Sequence, residues 1–154
     1  MLALLIPILS CNDIGTNDNT QLTALPFVRV SQTNYQESDI RGRVPDTLLL
    51  NAYARSYKGF YSDDLKSKMI TQIVNSVRSL GLSVDEFQRC LTATGQQAPG
   101  VVALPYLAER ANYTGKPSWI LEFTWGPTAN DLEHYRCFVM DAVSADTLLF
   151  ITCR

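Results

Sequence analysis

The side chains of this 154-residue chain whose types point first to nucleophilic or acid–base chemistry are the single histidine, His134, and the cysteines Cys11, Cys90, Cys137 and Cys153. His134 has Asp131 and Glu133 nearby and Cys137 three residues on. In a strand, positions three apart point to opposite faces, so local spacing makes His134 and Cys137 neither a metal-ligand pair nor a nucleophile and base. No Gly-x-Ser-x-Gly, His-Glu-x-x-His, Cys-x-x-Cys or glycine-rich phosphate loop occurs. Catalysis would need the fold to carry His134 to Cys90 or to a distant Asp or Ser, which defines one reading: a small, secreted, hydrolase-like enzyme using His134. The plainer reading is a surface histidine at the start of a strand. Asp63 and Asp64 are adjacent carboxylates, but their place at a helix start suits capping better than acid and base work.

Cys137 and Cys153 fall in one predicted hairpin and differ by an even number of positions, which puts them on the same face in an even register. Directly opposed strand positions have Cβ atoms about 4.5–5.5 Å apart, close enough for a disulfide after modest adjustment. That bond is expected if the domain is exported; in a reducing compartment the same residues are two buried thiols. Cys90 lies on an apolar helix face, where burial keeps a thiol protonated, and it could instead pair with either of them.

Composition narrows the classes of function. The chain is 46% apolar and 18% charged, the make-up of a globular domain. A domain of this length buries roughly 70% of its unfolded surface and needs no metal to be stable. With a net charge of -2 and cations scattered singly from Arg29 to Arg154, it has no basic stripe for nucleic acid. No apolar run approaches the ~20 residues of a membrane-spanning helix. No motif calls for a cofactor or a metal.

The elements that must position these residues follow from periodicity. Leu25 to Gln32 alternates apolar and polar residues as a first strand that can add an edge to a sheet. Asp46 offers an N-cap to a helix with Leu49, Leu50, Tyr53 and Tyr57 on one face and Gly59 as its stop. Ser62 caps the clearest helix, whose Leu65, Met69, Ile70, Ile73, Val74, Val77 and Leu80 form one stripe ending at Gly81. Ser83 and Glu86 make a capping box for a third helix that carries Phe87, Cys90 and Leu91 to near Gly95. The stretch 101–117 reads either as a strand broken by Pro105 or as a short helix from Leu107 to Ala111. After Pro117 the period is two: Trp119, Leu121, Phe123 and Trp125 share a face, and two further strands complete a three-stranded meander. The expected fold class is α+β, with two or three helices packed on one face of a small antiparallel sheet. Under those helices Trp119, Phe123 and Trp125 are a core stripe; uncovered, Trp119, Trp125 and the neighbouring His134 would form a binding platform.

The N-terminus speaks to location. Met1 to Leu9 is apolar and gives way, at small Ser10 and Cys11, to a polar run too hydrophilic to bury itself, as a secretory signal does. The residues "ILSC" at 8–11 resemble the lipobox of bacterial lipoproteins. That resemblance implies cleavage after Ser10 and acylation of Cys11, although no Lys or Arg precedes the apolar stretch as lipoprotein signals usually have. Several acyl chains together hold stably to a bilayer where one is marginal. Residues 1–10 are then a signal peptide, 11–24 a polar tether and 25–154 a single α+β domain, lipid-anchored on the extracytoplasmic side of the cell envelope, or secreted.

The C-terminal stretch, a Trp-led strand followed by one closing in Asp141 and Ala142 before an apolar restart, is similar to the end of PepSY-type domains, with Ala145 and Asp146 where a turn glycine is usual. PepSY-like and cystatin-like modules mostly bind or inhibit other proteins. The resemblance implies a non-catalytic module of that kind, or an accessory subunit of a membrane complex, whose partner is another envelope protein.

Overall fold

The computed structural model describes residues 26–43, 54–57, 59–96 and 102–153. Cys11, the expected signal peptide and tether, and the Asp46 cap lie outside the described residues. Within them, the chain forms β1 (Phe27–Tyr35), α1 (Glu37–Arg41), helical residues 54–57 (α2), α3 (Asp63–Ser79), α4 (Val84–Gln96), β2 (Val102–Tyr113), β3 (Lys116–Gly126), β4 (His134–Asp141) and β5 (Thr147–Cys153). This is an α+β fold.

The two long helices start and stop where local chemistry dictates. The Ser62 hydroxyl accepts from the Leu65 N–H at 3.1 Å, satisfying one orphan donor of α3, and Asp63 and Asp64 sit in its positive first turn. Past its end Gly81 takes φ +71°, and the Leu82 N–H reaches the Val77 carbonyl at 3.1 Å, closing the helix with a backbone lock that glycine adopts without strain. Ser83 likewise accepts from the Glu86 N–H at 3.2 Å to start α4.

The sheet runs β1-β2-β3-β4-β5, so the expected meander is present and, among the described residues, two edges remain, β1 and β5. The stretch around Pro105 resolves as one long strand. Proline removes a backbone donor, and a register shift between Pro105 and Leu107 absorbs the defect, leaving Tyr106 as the extra residue. The β2–β3 hairpin turns through Thr114 at φ 47° and Gly115 at φ 82°, the pair of left-handed positions that a two-residue turn matched to strand twist demands. β1 pairs parallel to β2, which makes the sheet mixed rather than purely antiparallel. A parallel neighbour needs a crossover, and the helices between residues 37 and 96 supply it.

Each face of the sheet joins a separate apolar cluster. On one, Trp119, Leu121, Phe123, Phe138 and Met140 pack with Ile73, Val74 and Val77 of α3 and Phe87 and Cys90 of α4. On the other, Leu104, Leu107, Ile120, Cys137, Val139 and Leu149 cluster with Ile40 of α1, Ala54 and Tyr57 of α2, and Met69. The sheet is therefore buried on both sides through its middle, and inward positions on either face must be apolar or paired.

Gly126 closes β3 beneath the loop that returns to β4. A Cβ there would meet the Asp131 carbonyl oxygen at 1.9 Å, an impossible approach that only backbone movement could relieve. Gly126→Ala should therefore lose about 3 kcal/mol or more of stability, the upper range for an overpacked interior, in a denaturant titration. A loss of a few tenths would show that the loop is free to move.

Candidate functional site

The strongest concentration of ionisable groups is not around His134. It lies on the α1–α2 side of the sheet, where Glu109 of β2 and Glu122 of β3 are 0% and 3% exposed. An isolated carboxylate at such depth is prohibitively costly unless paired and hydrogen-bonded. Both are. Glu109 Oε2 accepts from Arg29 Nη2 of β1 at 2.6 Å and from Arg43 Nη2, just past α1, at 2.5 Å, while Oε1 accepts from the Tyr35 hydroxyl at 2.9 Å. Glu122 Oε2 accepts from the Tyr106 hydroxyl at 2.7 Å, and its Oε1 lies 3.2 Å from Arg43 Nε. Tyr106 lies two residues on from Leu104 and shares its face, the Glu122 side of the sheet, and the register shift brings Leu107 to that face as well.

The two carboxylates are held differently. Burial pushes the Glu109 carboxyl up, but the hydrogen bonds from Arg43 and Arg29 outweigh it and hold the group below the usual carboxylate range. For Glu122 burial wins: the attraction of Arg43 and the bond from Tyr106 offset only part of it, and the carboxyl is raised. Arg43 serves both. Burial lowers its pKa, yet Glu122 and Glu109 more than compensate, so the guanidinium stays charged. Its cation also sits 5.6 Å from the centre of the Tyr35 ring.

A smaller polar pin occupies the opposite face. Glu86 completes only half of the expected capping box with its backbone; its carboxylate instead accepts from Arg110 Nε and from Trp119 Nε1, both at 2.9 Å. Trp119 is thus fully buried, edge-on to Phe87 at 5.0 Å between ring centres, as a core residue of the helix-covered face.

His134 and Trp125 are placed apart from this network, whereas Cys137 lies directly across the strands from Glu122. Trp125 is 5% exposed, donates its indole N–H to the Tyr135 carbonyl at 3.2 Å, and carries the Arg136 guanidinium 3.8 Å above its ring. His134 faces it across the strands, ring centres 5.0 Å apart.

The expected disulfide is not formed: Cys137 is a buried, free thiol. The register pairs it with Ile151 and pairs Cys153 with Tyr135, a diagonal two residues out of line. Diagonal strand positions lie about 7–8 Å apart, beyond the reach of a disulfide. Cys90 is also free, its thiol 3.5 Å from the Asp141 carbonyl oxygen. Burial pushes the Cys90 thiol up to about 11 and the Cys137 thiol up to about 12, so both stay protonated and inert at neutral pH. Among the described residues, no group of three or more His, Cys, Asp or Glu side chains could hold a metal ion.

What sequence reasoning missed is the network itself. Glu122 alternates with the Trp119, Leu121, Phe123, Trp125 stripe, and an alternating strand with one apolar face reads as solvent-facing on the other. The available signal was Ile120 on that supposedly wet face, two positions from Glu122.

Glu109 is the member whose loss should cost most. Glu109→Gln leaves Arg29 and Arg43 short of a counter-charge and should cost about 3–5 kcal/mol, the range for breaking a buried pair from one side. Glu122→Gln removes a charge that burial already disfavours and should cost less. The pH dependence separates them. A depressed carboxyl gives stability that is present above its unfolded value and lost as pH falls through its folded value; a raised one loses stability as pH rises between the two. Denaturation midpoints across the acid and neutral range should therefore show Glu109→Gln flattening the acid-side fall and Glu122→Gln flattening the opposite slope.

No family model, no curated protein and no solved structure matches the chain, so the meaning of this network has to be read from its own chemistry.

Proposed function

We propose that the protein is a non-catalytic protein-binding or inhibitory module, or an accessory subunit of a membrane complex, tethered in the cell envelope by lipid on Cys11. The observation that carries the non-catalytic part is where the charges go. Both buried carboxylates are consumed by Arg29, Arg43, Tyr35 and Tyr106 inside the fold, both described free thiols are held protonated, and His134 packs on an indole. A catalytic group needs a pKa near the working pH and an open approach to substrate. These groups instead do the work of cohesion.

The binding part is supported by what the sheet leaves unpaired, two edge strands. The location is supported by the lipobox-like "ILSC" and the polar run behind it, and the likeness of the Asp141–Ala142 strand end to PepSY-type domains agrees with an exported binding module. Asp141 closes that strand by accepting from the Val143 and Ser144 N–H groups at 2.9 and 3.2 Å, which hold its carboxyl below the usual range. Among the described residues no helix is long and apolar enough to cross a membrane, so in this reading attachment falls to the acyl chains.

Intact-mass measurement of protein purified from its native membrane fraction tests the reading. The expected species begins at Cys11 and carries a diacylglyceryl-sized addition, and Cys11→Ser should release the protein from membranes. An unmodified chain that begins at Met1 would contradict it. Exchange of His134 for Ala should leave membrane attachment and partner binding unchanged.

A further inference from the structure

We infer that β5 is a pairing edge for a second copy of this chain, joined antiparallel about a two-fold axis through Phe150. The inference stands on the sheet alone and goes beyond the tethered reading.

The two edges of the sheet are not equivalent. An unpaired strand offers a row of backbone donors and acceptors to any other strand, and edges are normally guarded by inward charges, bulges, prolines or lysines. β1 is guarded: Arg29 turns inward onto Glu109, and the register shifts in mid-strand between Val30 and Asn34. β5, Thr147-Leu148-Leu149-Phe150-Ile151-Thr152-Cys153, contains no Asp, Glu, Lys, Arg or Pro. Its one irregularity against β4 falls at the start, around Leu148, and from Leu149 to Cys153 the register is regular.

The pattern of β5 suits a copy of itself. Phe123, Phe138 and Phe150 form a ring ladder across β3, β4 and β5, with centres 5.7 and 4.7 Å apart. Exposure along it runs 6%, 2% and then 42%, so the ladder ends in an open ring at the edge. A two-fold axis perpendicular to the sheet sets Phe150 beside Phe150 of the second copy on the same face, which continues the ladder into the other sheet. The same register places Leu149 against Ile151 on the opposite face. A neutral strand against its copy brings no like charges together, and each open ring is covered by an identical one. An isologous junction of this kind closes at two copies.

Five strand positions and a ring pair bury less than the roughly 1,200 Å² at the low end of stable interfaces, so the dimer is a weak one that forms with concentration. With the proposed anchor, confinement of both copies to one membrane surface raises their effective concentration.

Sedimentation velocity on the full chain without its lipid, from micromolar to millimolar concentration, tests the inference. The expected result is a monomer–dimer equilibrium. Thr152→Glu is exposed, lies across from Arg136 within its own sheet, and puts a carboxylate into the junction. It should weaken the dimer at least tenfold, whereas Val30→Glu on β1 should leave it unchanged. Concentration-dependent protection of β5 amides against hydrogen exchange in the unmodified chain gives a second readout that needs no variant. A monomer at every concentration, open-ended polymers, or a dimer abolished by Val30→Glu and untouched by Thr152→Glu would each overturn the proposal. None of these outcomes bears on whether Cys11 is acylated.

Discussion

The carboxylate of Glu109 is the constraint on which the rest of the structure depends. It sits at an inward position of β2 with no access to water, and a charge there is tolerable only if donors converge on it. The donors arrive from Arg29 and Tyr35 on β1 and from Arg43 beyond α1, at sequence separations of 80, 74 and 66 residues. One side chain thereby fixes β1 as a parallel neighbour, fixes the path of the chain past α1, and brings Ile40 down onto the sheet. The end of β1 is locked further where the Thr114 N–H donates to the Tyr35 carbonyl at 2.9 Å and the Gly115 N–H donates to Asn34 Oδ1 at 2.8 Å. Apolar contacts could hold the same pieces with similar energy. They would not choose a register so sharply, because a charged pair displaced by one residue is a buried charge with no partner.

Glu86 plays the corresponding part on the other face, at lower stakes. Its carboxylate joins α4 to both β2 and β3 through Arg110 and Trp119, so the helix is positioned by direction as well as by area. Together the two acidic pins account for how helices and sheet are keyed to one another. In the proposed reading these ionisable groups serve cohesion, and recognition falls to backbone and ring surface at the sheet margin.

Much of the architecture is legible in the sequence because it is written in local periods. The stripe from Leu65 to Val77, the Ser62 and Ser83 caps, the stop at Gly81 and the two-residue period after Pro117 all involve residues a turn or a pairing apart, and each element appears where those signals lie. What is not legible is what depends on distant partners. Pro105 looks like a break until β3 supplies a register that absorbs it. Cys137 and Cys153 share a face by parity, as expected, but the two-residue offset between them is set by the pairing of β4 with β5, which parity leaves undetermined. Glu122 reads as solvent-facing because Ile120 is the one residue of its own strand to hint that α1 and α2 cover that side. The network was hidden for the same reason: its six members come from four separate stretches of chain, β1, the residue past α1, β2 and β3.

The most direct measurement of this account is a carbon-13 NMR titration of the glutamate side-chain carboxyls in the folded protein. Glu109 should titrate below the ordinary carboxylate range, held ionised by Arg43 and Arg29, and Glu122 above it. A Glu109 carboxyl that titrates at or above its ordinary value would mean that the two arginines do not converge on it, and the tie between β1, α1 and the sheet would have to be sought elsewhere.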